Sequence, residues 1–213
     1  SDRIIDLTGL DFLKRYRTIV MFKTHQPMLA RFMRKNPDNF SKGCTFTLCT
    51  IQRQFFTVGN QLKEIETDGM NAVCLNGAKK RSYKEIIAMK GYLYNKVYSK
   101  EISLAEKLLE VSGLYGIGMV KAGFILQLAL GKVGCLDVHN LARFGLSASV
   151  FKVNDKMTEA TALRKANFYI KTCEDLGGSE YLWDSWCRYL ADLYPKIYRD
   201  EEHVSKLHVD FII

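Results

Sequence analysis

Leu114-Tyr115-Gly116-Ile117-Gly118 opens a segment that is apolar nearly all round, and Leu136-Asp137-Val138-His139-Asn140 follows it across a Gly131–Gly134 break. Glycines at 116 and 118 permit positive φ and let the backbone come close to a ligand. A turn of this kind at a helix N-terminus aims free N–H groups and a positive dipole end outward, which suits a phosphate oxygen. Lys121, one turn into the helix, reads as a charge-assisted phosphate contact or as a solvated lysine. Such contacts position a protein on a nucleic-acid backbone and read no bases. Asp137 is the carboxylate of the stretch. An aspartate before V-H-N-L-A-R-F is a good helix cap. His139 and Asn140 are candidates for supporting that carboxylate, with purely structural roles as the alternative.

These residues need helices to hold them. Prolines occur only at 27, 37 and 195, and long segments repeat apolar positions at three-to-four spacing, so the chain reads as all-α. The basic stretch LDFLKRYRTIVMFKTHQPMLARFMRK is expected to form two helices divided at Pro27. Asn36-Pro37-Asp38-Asn39 reads as a turn. TFTLCTIQRQFFTVGNQLKEI reads as one mostly buried helix, with strand as a rival at its β-branched start. Asp68-Gly69 and Asn76-Gly77 punctuate the middle, and basic helices follow around 83–98. Residues 102–112 form an amphipathic helix, and 119–130 should be a central one. Further helices fill 156–176 and 180–197. Within the latter, Tyr181, Trp183, Trp186 and Tyr189 recur at helical spacing and read as core packing, with base stacking as the alternative. The tail EEHVSKLHVDFII ends in alternating apolar residues, read as a short strand or a fraying end.

The 213 residues are 47% hydrophobic and 25% charged, which excludes wholesale disorder and collagen-like or low-complexity polymers. Lysine plus arginine number 31 against 23 acids, a net charge of +8 that favours polyanionic partners. Cysteines 44, 49, 74, 135, 173 and 187 form no close CxxC pair. They are expected to be reduced thiols in a cytoplasmic protein that holds no metal. The apolar runs fall short of the roughly 18 residues that span a bilayer, so a soluble protein without a membrane partner is expected.

L-Y-G-I-G-M-V-K-A-G followed by L-D-V-H-N resembles the helix–hairpin–helix superfamily of DNA glycosylases. Gly116, Ile117, Gly118 and Ala122 match its motif, Asp137 falls at the family's distance, and Tyr115 stands where the family usually has proline. The body of the helix, AGFILQLALGK, is similar to the adenine-glycosylase branch with one residue fewer before the aspartate. More loosely, Thr50-Ile51-Gln52-Arg53-Gln54 resembles the helix end whose glutamine enters the minor groove. The likeness covers 109–145 well and 44–145 loosely.

The resemblance implies a two-lobed, helix–hairpin–helix glycosylase-like fold with a cleft. One lobe would span about 40–135, with the hairpin at 109–130, and the other would combine 1–39 with 136–213. It implies Asp137 as catalytic residue, and Gly116, Gly118, Lys121, Gln52, Arg53 and Gln54 as DNA contacts, the last three replacing a flipped nucleotide. A buried polar cluster is the other reading of those three. The implied partner is double-stranded DNA, bound by a monomer in the cytoplasm or nucleoid, or in the host cytoplasm if the protein is viral. No cofactor is implied beyond a monovalent cation held by hairpin carbonyls.

Two departures narrow the activity. Bifunctional members carry a lysine where this chain has Val120. Lys121, turned by about 100° from that position, is expected to point away from the cleft, so a monofunctional glycosylase is expected rather than a lyase. The iron–sulfur loop of many members is also missing, since only Cys173 and Cys187 lie downstream. A phage transferase resembling the glutamyl/putrescinyl-thymine pyrophosphorylases is the alternative on the same scaffold. A non-catalytic DNA-binding module is the second alternative.

Overall fold

The computed structural model describes residues 20–136, Leu141 and residues 145–213. Among these are nine α-helices and no strand: α1 (Met21–Arg34), α2 (Pro37–Cys49), α3 (Val58–Asp68), α4 (Gly77–Val97), α5 (Leu104–Ser112), α6 (Gly118–Leu130), α7 (Glu159–Asp175), α8 (Gly178–Leu193) and α9 (Glu201–Ile212).

Pro27 lies inside α1 and does not divide it. The missing N–H forfeits one bond to the Lys23 carbonyl. Lys23 is exposed, so water can take that oxygen, while buried His25, Gln26, Leu29 and Met33 hold both halves against the core. No local side chain caps α1; instead Asp184 of α8 accepts from the Phe22 N–H at 2.8 Å. The expected turn at 36–39 is a helix start, in which Asn36 accepts from the Asn39 N–H at 2.8 Å and Pro37 takes the first helical position.

The apolar stretch from residue 45 is helical in α2, but the helix stops at Cys49 instead of running on to 65. Gln52 has φ +54, which no α-helix accommodates, and the chain resumes through a 3₁₀ turn, Phe55–Thr57, into α3. The β-branched residues stay helical because Thr45 and Thr47 donate their hydroxyls to the carbonyls of Ser41 and Gly43, at 2.9 and 3.1 Å. A Cβ on Gly43 would stand 2.3 Å from the Met33 Cε, so a larger residue there would have to displace the end of the Met33 side chain.

Helix α6 is buried from Ala122 to Ala129 and packs on α1, α2 and α5. Helix α1 in turn touches α2, α6, α8 and α9, joining N-terminal, central and C-terminal segments around common apolar residues. The tail is neither strand nor frayed. Asp200 caps α9 by accepting from the His203 N–H at 2.8 Å, and Val204, Ser205, His208, Val209 and Ile212 form its buried helical stripe. Cys44, Cys49, Cys74, Cys173 and Cys187 are buried thiols. Among the described residues, no helix is long and apolar enough to cross a membrane.

Candidate nucleic-acid interface and cavity

A capping box between Ser103 and Glu106 starts α5, which enters α6 through an elbow at 113–117. Leu114 and Ile117 turn into the core, leaving Tyr115, Gly116 and Gly118 exposed. Gly116 and Gly118 have φ +74 and +63, backbone that glycine adopts without a Cβ penalty. At 116 a Cβ would also meet the Ser82 Oγ at 2.6 Å, whereas nothing lies within 4 Å of one at 118. The second glycine therefore leaves open room for an approaching group. No side chain caps α6, and its first turn carries no acid, so the helix itself supplies nothing to offset its positive end. The elbow is braced on α4: Glu85 accepts from the Tyr115 N–H at 3.2 Å, and the Arg81 guanidinium lies 3.8 Å from the Tyr115 ring centroid.

One stripe of α6, Lys121, Phe124 and Gln127, walls a cavity of about 460 Å³. Its buried lining includes Phe55, Phe124, Gln127, Trp183 and His208. Around its more open parts stand Thr50, Gln52, Arg53, Gln54, Trp186 and Tyr194. Flat aromatic walls of this extent suit a planar, apolar-faced ligand. The Lys121 Nζ donates to the Thr50 Oγ1 at 3.2 Å, fixing the ammonium beside the Thr50–Gln54 turn. Gln52 holds its positive φ at that turn, exposed to solvent.

The charge here is one-sided. The Lys79 Nζ is buried with no hydrogen-bond partner. Burial lowers its pKa, and the neighbouring charges of Arg53 and Lys121 push the same way, against the opposing effects of Cys49 and Cys74. Arg53 and Lys121 thus line the cavity with the buried Lys79 near both, an arrangement that attracts an anion. His208 behaves oppositely: full burial pushes it down to about 4, so it is a neutral imidazole. Its ring centroid lies 4.4 Å from that of Trp183 and 4.7 Å from that of Phe55.

The loop after α6 is tightly specified. Gly131 ends the helix in the left-handed conformation, and buried Val133 has φ +69, strained for a β-branched residue. The buried Tyr169 hydroxyl donates to the Gly134 carbonyl at 2.7 Å and accepts from the Leu136 N–H at 2.9 Å. Gly123 lets the loop lie against α6, because a Cβ there would stand 2.3 Å from the Gly134 carbonyl oxygen. Cys135 reaches the cavity wall two residues before Asp137.

Of the residues singled out from the sequence, Gly116 and Gly118 stand at the elbow, while Lys121, Gln52, Arg53 and Gln54 meet at the cavity. Asp137, His139 and Asn140 lie outside the described residues. The stripe 121, 124, 127 faces the cavity, and Val120 packs against the core. Trp183, Trp186 and Tyr189, read from the sequence as core packing with base stacking as the alternative, line the cavity. Their spacing was visible, but spacing does not tell a core from a cavity wall. His208 escaped notice because the tail did not read as a helix. Comparison with protein-family models, curated proteins and solved structures returns no match.

Proposed function

We propose that the protein binds double-stranded DNA and acts on one flipped nucleotide, as a monofunctional N-glycosylase of helix–hairpin–helix type that uses Asp137. The observation that carries this reading is the double use of α6. Its N-terminus is the exposed glycine elbow, and its side stripe walls the aromatic cavity. A clamp on the phosphate backbone and a base-sized pocket are thereby held at a fixed separation by one buried helix. In this reading the cavity marks the cleft between two lobes, Arg53 and Lys121 face the phosphates, and Lys121, tied to the Thr50 hydroxyl, serves as a phosphate contact and not as a lyase nucleophile.

The chemistry follows from the charges. Breaking an N-glycosidic bond leaves positive charge on the deoxyribose, which the Asp137 carboxylate stabilises while orienting a water. The base leaves the stack first, and Gln52, on its strained turn, fills the gap. Aromatic walls hold the extruded base by stacking. A cation in the elbow would add positive charge next to the phosphate.

The test is incubation of the full chain with duplexes carrying single damaged or modified bases. Abasic sites are expected, and Asp137→Asn should abolish them while preserving DNA binding. A gain of nucleoside mass that depends on an added amine or amino acid, on DNA bearing activated hydroxymethyluracil, would favour the transferase. Salt-dependent binding without either product would leave only a binding module.

A further inference from the structure

The mouth of the cavity carries large apolar side chains that the core does not hold. Phe56, Leu193 and Tyr194 line the cavity and are 42%, 49% and 38% exposed, and Ile197, 40% exposed, follows in the same loop. Single exposed apolar residues are ordinary, but several around one opening mark a contact surface. Two segments build it. Phe56 stands in the 3₁₀ turn that the Thr57 hydroxyl closes by donating to the Gln54 carbonyl at 2.7 Å. Leu193 ends α8, and the Tyr194 N–H still donates to the Leu190 carbonyl at 2.9 Å. Buried Tyr198 joins the segments. Its ring centroid lies 6.3 Å from that of Phe55 and 6.4 Å from that of Tyr194, and the Phe56 N–H donates to its hydroxyl. Two exposed rings are thus held from one buried joint.

The charge of the opening chooses among occupants. Arg53 and Lys121 line it, Gln52 and Gln54 are neutral, and no acid lines it among the described residues. Exposed aromatics beside unopposed cations are the combination that binds unpaired nucleic acid, with bases on the rings and phosphates on the cations. A base inside a duplex has both faces covered by its neighbours, so only an unstacked one can lie on such a ring.

We infer that the mouth takes unpaired nucleotides flanking the one in the cavity, with Phe56 and Tyr194 as the platforms on which their bases stack. This rests on reading the cavity as a base pocket, and it names the substrate class of that pocket. The preferred DNA is a single strand or a duplex already opened at the site, ahead of a fully matched duplex.

The experiment measures fluorescence anisotropy of a labelled DNA strand, its matched duplex and a duplex with a central bulge, each titrated with the full chain at one salt concentration. The strand and the bulged duplex are expected to bind at least about tenfold tighter than the matched duplex. Phe56→Ala and Tyr194→Ala should each weaken binding of the unpaired sites about fivefold or more, the effect of one lost base–aromatic stack, and leave matched-duplex affinity nearly unchanged. Tyr194→Leu, which keeps apolar bulk without a flat face, should lose nearly as much, and Tyr194→Trp should restore the wild-type affinity. Both side chains are exposed, so these changes spare the core. Matched duplex bound as tightly as the bulge overturns the inference, as does bulge binding that the alanine variants or Tyr194→Leu leave intact. Abasic sites formed on duplexes would in that case still support the glycosylase reading. Binding of none of the three DNAs overturns both.

Discussion

The Lys121 ammonium donates to the Thr50 hydroxyl across 3.2 Å, tying the helix behind the glycine elbow to the turn that carries Gln52. The bond places a fixed positive charge at the cavity and does not neutralise it, because a hydroxyl offers a lone pair and no charge. Arg53 and Lys79 add theirs nearby. If this cluster meets phosphates, Lys121→Met should weaken duplex binding at low salt and reduce the slope of log affinity against log salt by about 0.9. Fluorescence anisotropy over a salt series measures it. A slope equal to the wild type's would remove Lys121 from the phosphate contacts.

Gln52 pays a conformational cost on an exposed turn where glycine would sit without strain. Gln52→Gly should therefore raise stability or leave it level, by up to about 1 kcal/mol, since relief of strain opposes the greater unfolded-state freedom of glycine. The same change should slow base excision about tenfold or more on matched duplexes and less on mismatched ones, where extrusion costs less. Urea midpoints and single-turnover rates are the two measurements. Wild-type excision on every duplex would show that the strained turn has no part in extrusion.

The helices that hold the site were legible where their periodicity is strong: the apolar run of α6 and the amphipathic pattern of α5 read from the sequence, whereas α4 starts at Gly77, ahead of the stretch around 83–98 that reads as helical. Departures arose where tertiary contacts decide. Pro27 stays within α1 because its neighbours are anchored in the core, and Gln52 breaks a seemingly continuous helix through a backbone conformation that its residue type does not announce. The α9 stripe carries Ser205 and His208 among its buried positions, so polar residues masked its helical period. The cavity itself depends on segments 50–56, 121–135 and 182–208 meeting, which no local pattern encodes.

Tyr169 brackets the chain just before Asp137 by using both the donor and the acceptor of its hydroxyl. Tyr169→Phe keeps the ring and leaves the Gly134 carbonyl and the Leu136 N–H without that partner, costing about 1–3 kcal/mol of stability. A purely structural tyrosine would do no more than this. A positioning tyrosine would also lower single-turnover excision about tenfold while duplex affinity holds, since the elbow and the cations are untouched. Gly123→Ala should reproduce that split by pressing on the Gly134 carbonyl. Equal losses in affinity and rate for both variants would count against positioning.

Asp184 and His208 give stability opposite dependences on pH. Burial raises the Asp184 carboxyl to about 7 despite the Phe22 N–H that stabilises its charge. Between roughly pH 4 and 7 the folded chain therefore keeps a proton that the unfolded chain releases, and this contribution to stability falls as pH rises. Burial holds His208 at about 4, and His25 is lowered in the same sense. Between roughly pH 4 and 6.5 the unfolded chain binds protons that the folded chain refuses, so that contribution rises with pH. Asp184 and His208 largely cancel in the wild type over the shared window, leaving only the rise that His25 contributes. Asp184→Asn keeps an oxygen for the Phe22 N–H and removes the falling component. Its urea midpoint should climb from pH 4 to 6.5, with a slope of up to about 1.4 kcal/mol per pH unit for each histidine, and exceed the wild type's at pH 8. Parallel profiles for the two proteins would mean that Asp184 titrates alike in the folded and unfolded chains.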